Sequence, residues 1–254
     1  MALQTPNIAR MYDYWLGGKD HFAADRESAD EIVRISGGKV LRGVRLNRAF
    51  LGRAVRTAAA AGVRQFLDLG SGLPTRENVH EVAGPGARVV YVDNDPAVAA
   101  HGRALLATAG RVRFVQADLR EPDAILAHPD VSGLLDLDEP VAILFVSVLH
   151  FVAGTAETAR IVAAYRDACA PGSHLVLSHL ASDAFPDEMA RAEQVYQGAN
   201  VPLGARTRAE ILSFFAGFEL LDPGLVGPNA WRPEPGPPDT ERFAGLVGVG
   251  VKRV

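Results

Sequence analysis

Only one cysteine, Cys169, occurs among the 254 residues. That excludes an intramolecular disulfide and makes a reducing cytoplasm the simplest expected home. Cys169 lies in a helix-like run just before Pro171, and no histidine can be placed beside it from sequence, so it reads as a buried structural thiol. Lysine is nearly as scarce. Lys19, Lys39 and Lys252 are the three, the other 23 basic residues being arginine, which together with the many Ala and Gly reflects genome composition. A dominant charge is missing as well: 26 basic residues stand against 30 acidic ones, a net of −4, which argues against nucleic acid as a partner of the whole chain. The longest central apolar run, residues 141–149, is broken by Ser147 and falls far short of the ~20 residues that span a bilayer. The opening stretch has no apolar core of signal-peptide type, so no membrane partner is expected. The seven histidines are scattered, with no His-x-x-x-His or Cys-x-x-Cys, so no metal is expected.

What is present is an ordinary globular composition, 48 % hydrophobic and 22 % charged. The length fits one domain with local additions and a sizeable core. Four stretches divide it: residues 1–62 as a helical cap, 63–180 as a core, 181–217 as a lid and helix, and 218–254 as closing strands. In the cap, residues 41–61 carry apolar Leu46, Phe50 and Val55 between arginines and read as an amphipathic helix ending at Gly62. The core alternates. Strands are predicted at residues 65–69, 88–92, 112–116, 141–146 and 173–177, with helices at 75–82, 96–109 and 155–168. Thr75 is the expected N-cap of the first of these helices, and Pro96 opens the second. Apolar strands alternating with helices mean a parallel sheet covered on both faces. A helix at 208–215 and strands at 218–221 and 246–251 follow, separated by a Pro-rich loop.

Chemistry concentrates at strand ends. Asp68-Leu69-Gly70-Ser71-Gly72-Leu73-Pro74 leads from a strand into a Gly-x-Gly turn and then a helix, a geometry that brings backbone N–H groups close to a ligand. A dinucleotide fingerprint would need a third glycine where Thr75 stands. Asp68 at the strand end also repels a pyrophosphate and suits an amino-bearing ligand, so a nicotinamide oxidoreductase is disfavoured. Asp93 ends the second strand, 23 residues after Gly70, where an acid accepts hydrogen bonds from a ribose diol or serves as a turn residue. Asp95 is placed to cap the next helix. Asp118 ends the third strand. Three acids at adjacent strand ends converge on one crevice, where open α/β sheets bind ligands.

Asp68-Leu69-Gly70-Ser71-Gly72, Val92-Asp93-Asn94-Asp95-Pro96, Ala117-Asp118-Leu119 and Pro171-Gly172-Ser173-His174-Leu175 resemble, in this order, the motifs of class I S-adenosylmethionine-dependent methyltransferases. Ser173 stands where a second glycine is usual. A narrower resemblance runs through Asn7-Ile8-Ala9-Arg10, Tyr12-Asp13-Tyr14-Trp15-Leu16-Gly17-Gly18-Lys19-Asp20, Arg48-Ala49-Phe50-Leu51, Asn78-Val79-His80-Glu81 and Val148-Leu149-His150-Phe151-Val152. These segments are similar to an actinobacterial family formerly described as a domain of unknown function, now called the S-adenosyl methyltransferase family, whose substrates are generally unassigned. The resemblance implies an α/β fold: a doubly wound, Rossmann-like sheet of about seven strands, the last antiparallel, with an N-terminal helical cap and a lid inserted after strand five. It implies S-adenosyl-L-methionine as cofactor and a small molecule as acceptor. Asp68 would meet the methionine amino group, the backbone of Gly70 and Gly72 would approach the ligand with Ser71 beside them, Asp93 with Asn94 would hold the ribose, Asp118 and the backbone of Leu119 would read the adenine, and Ser147 would lie near the methionine portion.

In-line methyl transfer draws much of its rate from positioning, and a base helps where the acceptor is a hydroxyl or a protonated amine. His150 directly follows strand four and His179 strand five, so both are catalytic candidates at the crevice mouth or hydrogen-bonded structural residues; His80 reads as helical structure. In the cap, Tyr14 and Trp15 either close over the cofactor, with Arg10 or Lys19 reaching its carboxylate, or form a packed roof with surface charges. Phe185, Tyr196 and Trp231 either line an acceptor pocket or pack the lid. A second functional class stands beside the enzyme: a non-catalytic regulatory protein that binds S-adenosylmethionine or S-adenosylhomocysteine.

Overall fold

A computed structural model describes residues 5–75, 77–105, 110–237 and 239–253. Its centre is a seven-stranded sheet of β1 (Gln65–Leu69), β2 (Arg88–Asp93), β3 (Val112–Gln116), β4 (Val141–Val146), β5 (His174–Leu180), β6 (Glu219–Leu220) and β7 (Gly245–Val251), in the order β3-β2-β1-β4-β5-β7-β6. The first five strands are parallel, and β7 inserts antiparallel between β5 and β6. This is the doubly wound arrangement expected from the alternation of apolar strands and helices.

Successive strand residues face opposite sides, and each side has its own core. Phe66, Val89, Leu144 and Val176 pack with Phe50, Leu51, Ala54 and Val55 of the long helix α3 (Lys39–Ala60). Leu67, Val90, Phe145 and Leu175 pack with Ile161, Val162 and Tyr165 of a helix at Thr155–Ala168. Cys169 belongs to this second core, and burial pushes its thiol up to about 11, so it is an inert structural thiol. A third cluster lies away from both sheet faces. Met11 and Trp15 of α1 (Ile8–Trp15), Ala29 and Ile32 of α2 (Ala23–Ile35) and Val44 of α3 meet Ala192 and Tyr196 of the lid helix at Pro186–Tyr196.

Several boundaries differ from the sequence-based expectation. β5 extends to Leu180 because β7 pairs with it along its whole length, as far as Leu180 with Gly245, so His179 lies inside the strand. The helix after the glycine loop begins at Val79, with Asn78 and Glu81 forming a capping box, in place of a start at Thr75. The last two strands are unequal, β6 being only two residues long. The helix opened by Pro96 is described to Leu105, and its predicted continuation to Ala109 lies outside the described residues. Among the described residues, no helix is long and apolar enough to cross a membrane.

Candidate active site

The strand order reverses between β1 and β4, whose carboxyl ends open into a cavity of about 380 Å³, within the usual size range of small-molecule sites. Asp68, Gly70, Ser71, Gly72, Asp93, Asn94, Asp118, Leu119, Ser147, His150 and His179 all line it, so the tertiary fold brings together residues spread over 112 positions of the chain.

The glycine loop is held by its neighbours. The N–H groups of Gly70 and Ser71 both donate to the Val92 carbonyl, at 2.8 and 3.1 Å. Gly70 has φ +74°, and a Cβ there would stand 2.2 Å from the Val148 side chain, so packing as well as backbone conformation demands glycine. Gly72 donates its N–H to Asp93 Oδ2 at 2.9 Å, while Asp93 Oδ1 accepts from Asp95 N at 3.0 Å. Burial lifts the Asp93 carboxyl above its ordinary range, opposed by those N–H groups. Asp95 in turn caps the next helix, accepting from Ala97 N at 2.7 Å and Val98 N at 3.2 Å.

Asp68 differs from the other two acids. It is buried, its carboxylate makes no hydrogen bond among the described residues, and its pKa is pushed up to about 7, chiefly by burial; Arg48 opposes the shift and Asp93 reinforces it. Asp118 is engaged by its own loop: Arg120 Nε donates to both carboxylate oxygens, at 2.9 and 3.0 Å, holding the group below the usual carboxylate range. Ser71 Oγ is buried without a partner among the described residues. An uncommitted acid within electrostatic reach of the Arg48 cation, which also donates to the Glu77 carbonyl at 3.3 Å, matches the ammonium and carboxylate of an amino-acid head group, and the Ser71 hydroxyl adds a polar contact. The residues present therefore fit S-adenosylmethionine. Arg48 lines the cavity, which Arg10 and Lys19 do not. Its only sequence signal was its place in the Arg48-Ala49-Phe50-Leu51 segment.

A polar belt crosses the cavity from cap to sheet. Asn47 Nδ2 donates to Tyr12 Oη at 3.1 Å and to Ser147 Oγ at 2.9 Å, and Ser147 N donates to Ser178 Oγ at 2.9 Å. Ser147 sits at φ +56°, a region that residues other than glycine rarely occupy and that clusters at functional sites. Asn47 and Tyr12 carried no individual signal in the sequence, because their role comes from helix packing.

Two cap assignments are corrected. Helix periodicity turns Ile8, Tyr12 and Trp15 toward the cavity and Arg10 and Tyr14 away from it. Arg10 Nε pairs with buried Asp25 at 2.7 Å, and the Tyr14 hydroxyl donates to Asp30 Oδ1 at 3.0 Å. Lys19 is exposed outside the cavity. Trp231 is also displaced. It is fully buried, edge-on to Phe50 in the sheet core, whereas Phe185 and Tyr196 do line the cavity.

The two histidines part ways. His179 Nδ1 lies 2.7 Å from the Leu180 carbonyl and Nε2 lies 2.9 Å from Arg206 Nη1. Both nitrogens are used, so His179 is a positioning residue and its assignment as a base is corrected. His150, in a single 3₁₀ turn at Leu149–Phe151, is 4 % exposed, and neither ring nitrogen has a protein partner among the described residues. Burial, with His179 and Arg206 nearby, keeps it neutral well below the ordinary histidine pKa. Among the described residues, no group of three or more His, Cys, Asp or Glu side chains is placed to hold a metal ion.

The chain matches a family model described as S-adenosyl methyltransferase over residues 1–253. It is 44 % identical to a candidate methyltransferase from Thermobifida fusca YX, with a TM-score of 0.93 over 100 % of this chain and 98 % of that one. A DUF574 family protein from Streptomyces avermitilis MA-4680 is 37 % identical, with a TM-score of 0.93 over 98 % of each chain. The N-methyltransferase NodS from Bradyrhizobium japonicum WM9, in complex with S-adenosyl-L-homocysteine, shares the fold at 12 % identity, with a TM-score of 0.51 over 82 % of this chain and 87 % of that one. A search of curated proteins finds no match. With the whole chain matched and the sheet order, glycine loop and strand-end acids in place, the protein belongs to the S-adenosyl methyltransferase family, whose cofactor is S-adenosyl-L-methionine.

Proposed function

We propose that the protein methylates a small-molecule acceptor in this cavity. The observation that carries the proposal is the uncommitted Asp68 carboxylate, which lines the same cavity as Arg48, Asp93 and Asp118. Asp68 and Arg48 bind the amino-acid end of the cofactor, the Gly70–Gly72 backbone and Ser71 line it, Asp93 and Asn94 hold the ribose, and Asp118 with Leu119 faces the adenine. When bound, S-adenosylmethionine supplies an electrophilic methyl group on a positively charged sulfur, and acids lining the site suit that charge. The Tyr12–Asn47–Ser147 belt keeps the cap in register with the sheet, so that positioning supplies much of the rate. His150 is the residue placed to accept a hydrogen bond from the acceptor, because its ring is neutral and, among the described residues, unbonded.

Calorimetric titration with S-adenosylmethionine and S-adenosylhomocysteine tests this reading. The wild-type protein is expected to bind both in the micromolar range, and Asp93→Ala to bind neither. Absence of wild-type binding to both ligands would overturn it.

A further inference from the structure

Aromatic residues are few: eleven Phe, five Tyr and two Trp, 18 in all. Six of them, Tyr12, Trp15, Phe151, Phe185, Tyr196 and Phe243, line this one cavity. They come from the first helix, the turn after β4, the lid and the approach to β7, so no local sequence pattern groups them. Around them lie Ile32, Val44, Met189, Ala192 and Leu203. The buried side chains of this cluster come from cap and lid, with Phe151 from the turn after β4 and Leu180 from the end of β5 packed against them, so this apolar end adjoins the polar strand ends in the same cavity. The result is a chamber at the cap-and-lid end of the cavity, apolar and walled by rings.

Its polar content is small and specific. At the rim, Lys39 Nζ and Glu188 Oε1 stand 3.8 Å apart and offset one another. At the inner end is His150, whose Nδ1 is buried without a partner and whose ring packs against Phe151, with centroids 4.4 Å apart. The nearest buried cation behind it is Arg206. Its nitrogens are committed to the Leu149 carbonyl at 3.0 Å, the Val152 carbonyl at 2.7 Å, Thr158 Oγ1 at 2.8 Å, Thr155 Oγ1 at 3.3 Å and His179 at 2.9 Å. A cationic ligand next to His150 would be repelled by Arg206, and an anionic ligand would find no free guanidinium N–H there. A neutral O–H donor satisfies the orphaned imidazole.

Resting on the reading of the cavity as a methyltransferase site, we propose that the chamber between cap and lid binds the methyl acceptor, a planar and largely apolar ring compound whose neutral hydroxyl donates a hydrogen bond to His150. Ring-on-ring contacts with the aromatic wall select shape, and His150 selects the hydroxyl.

The test uses 2-naphthol as probe, with 2-methoxynaphthalene as the analogue that lacks the donor, each titrated by calorimetry into the full-length protein saturated with S-adenosylhomocysteine. The wild type is expected to bind 2-naphthol roughly tenfold more tightly than the ether, the difference made by one buried hydrogen bond. His150→Phe keeps the packing and should bind the two equally. Ala192→Phe fills the chamber and should weaken both at least about tenfold with S-adenosylhomocysteine affinity unchanged. Leu203→Trp fills the same space and replaces it if Ala192→Phe lowers the melting temperature. Equal wild-type affinity for both probes, a preference that survives His150→Phe, or affinities that survive chamber filling would overturn the inference. Loss of S-adenosylhomocysteine binding by the wild type would instead overturn the cofactor reading on which it rests, so the two failures are distinct.

Discussion

Arg206 places a guanidinium nitrogen 2.9 Å from Nε2 of His179 and, together with the Leu180 carbonyl at Nδ1, fixes which nitrogen of that ring carries the proton. A guanidinium only donates, so Nε2 accepts, and Nδ1–H donates to the Leu180 carbonyl at 2.7 Å. The same arginine binds the Leu149 and Val152 carbonyls on either side of His150. Arg206→Met should therefore destabilise the protein by about 3 kcal/mol, because two buried carbonyls and His179 lose their donor. Thermal melting measures the loss, and ¹⁵N NMR of the histidine rings should show His179 still as the Nδ1–H tautomer, held by the Leu180 carbonyl, with the Nε2 resonance shifted by the loss of its donor.

Asp68 makes cofactor affinity pH-dependent. Its pKa of about 7, raised by burial, means that folding holds its proton more tightly than the unfolded chain does. For the ligand-free protein, this group's contribution to stability is full below the ordinary value of 3.8 and is lost as pH rises through about 7. An ammonium group needs the ionised form. S-Adenosylhomocysteine affinity should then fall by up to about tenfold per pH unit below that value. Titrations between pH 5 and pH 8, each about a unit or two from the midpoint, should show the slope in wild type and a flat, weak profile in Asp68→Asn.

Asp25 ties down the strap that begins the cap. Its buried carboxylate accepts from Asn7 N at 2.8 Å, Phe22 N at 2.7 Å and Arg10 Nε at 2.7 Å. Burial alone would raise its pKa, but Arg10 and the two N–H groups outweigh it and hold the carboxyl low. Asn7 in turn donates to Asp95 beside the cofactor site, and Ile8 N donates to Asn200 of the lid at 3.1 Å. Asp25→Ala leaves Arg10 and two N–H groups without their acceptor and should cost about 3 kcal/mol. Amide hydrogen exchange should rise first in residues 7–15, ahead of the sheet.

Ser147 separates backbone strain from side-chain bonding. Its φ of +56° is disfavoured for any residue with a Cβ, while its Oγ accepts from Asn47 at 2.9 Å. Ser147→Ala keeps the strain and loses the bond. Ser147→Gly loses the bond and relieves the strain. The glycine variant should be the more stable of the two by about 1 kcal/mol in thermal or urea melts.

The strand-end acids were legible because parallel sheets place their binding crevice at fixed points in the strand–helix alternation, and Asp68, Asp93 and Asp118 each stand at or within two residues of the carboxyl end of a strand. The cap was misread in detail. Arg10 and Tyr14 carried the conspicuous charge and ring, yet a helix shows one face to the cavity, and a few residues' rotation gave that face to Tyr12 and Trp15. Arg48 was marked only by its place in a resemblance segment and Asn47 only as part of an amphipathic helix, since nothing local shows which arginine of many will line the cavity with a buried acid.

Local chemistry alone determined the α/β alternation, the glycine turn that Gly70 and Gly72 require, and the family, because these depend on residues near one another in the chain or on motif order. The tertiary structure alone decided the division between the histidines. Arg206, 27 positions on, bonds His179 Nε2 while the adjacent Leu180 carbonyl takes Nδ1, and the packing leaves His150 without a ring partner among the described residues. It also decided where the scattered rings meet, because an aromatic chamber between cap and lid arises from long-range packing that no sequence period records.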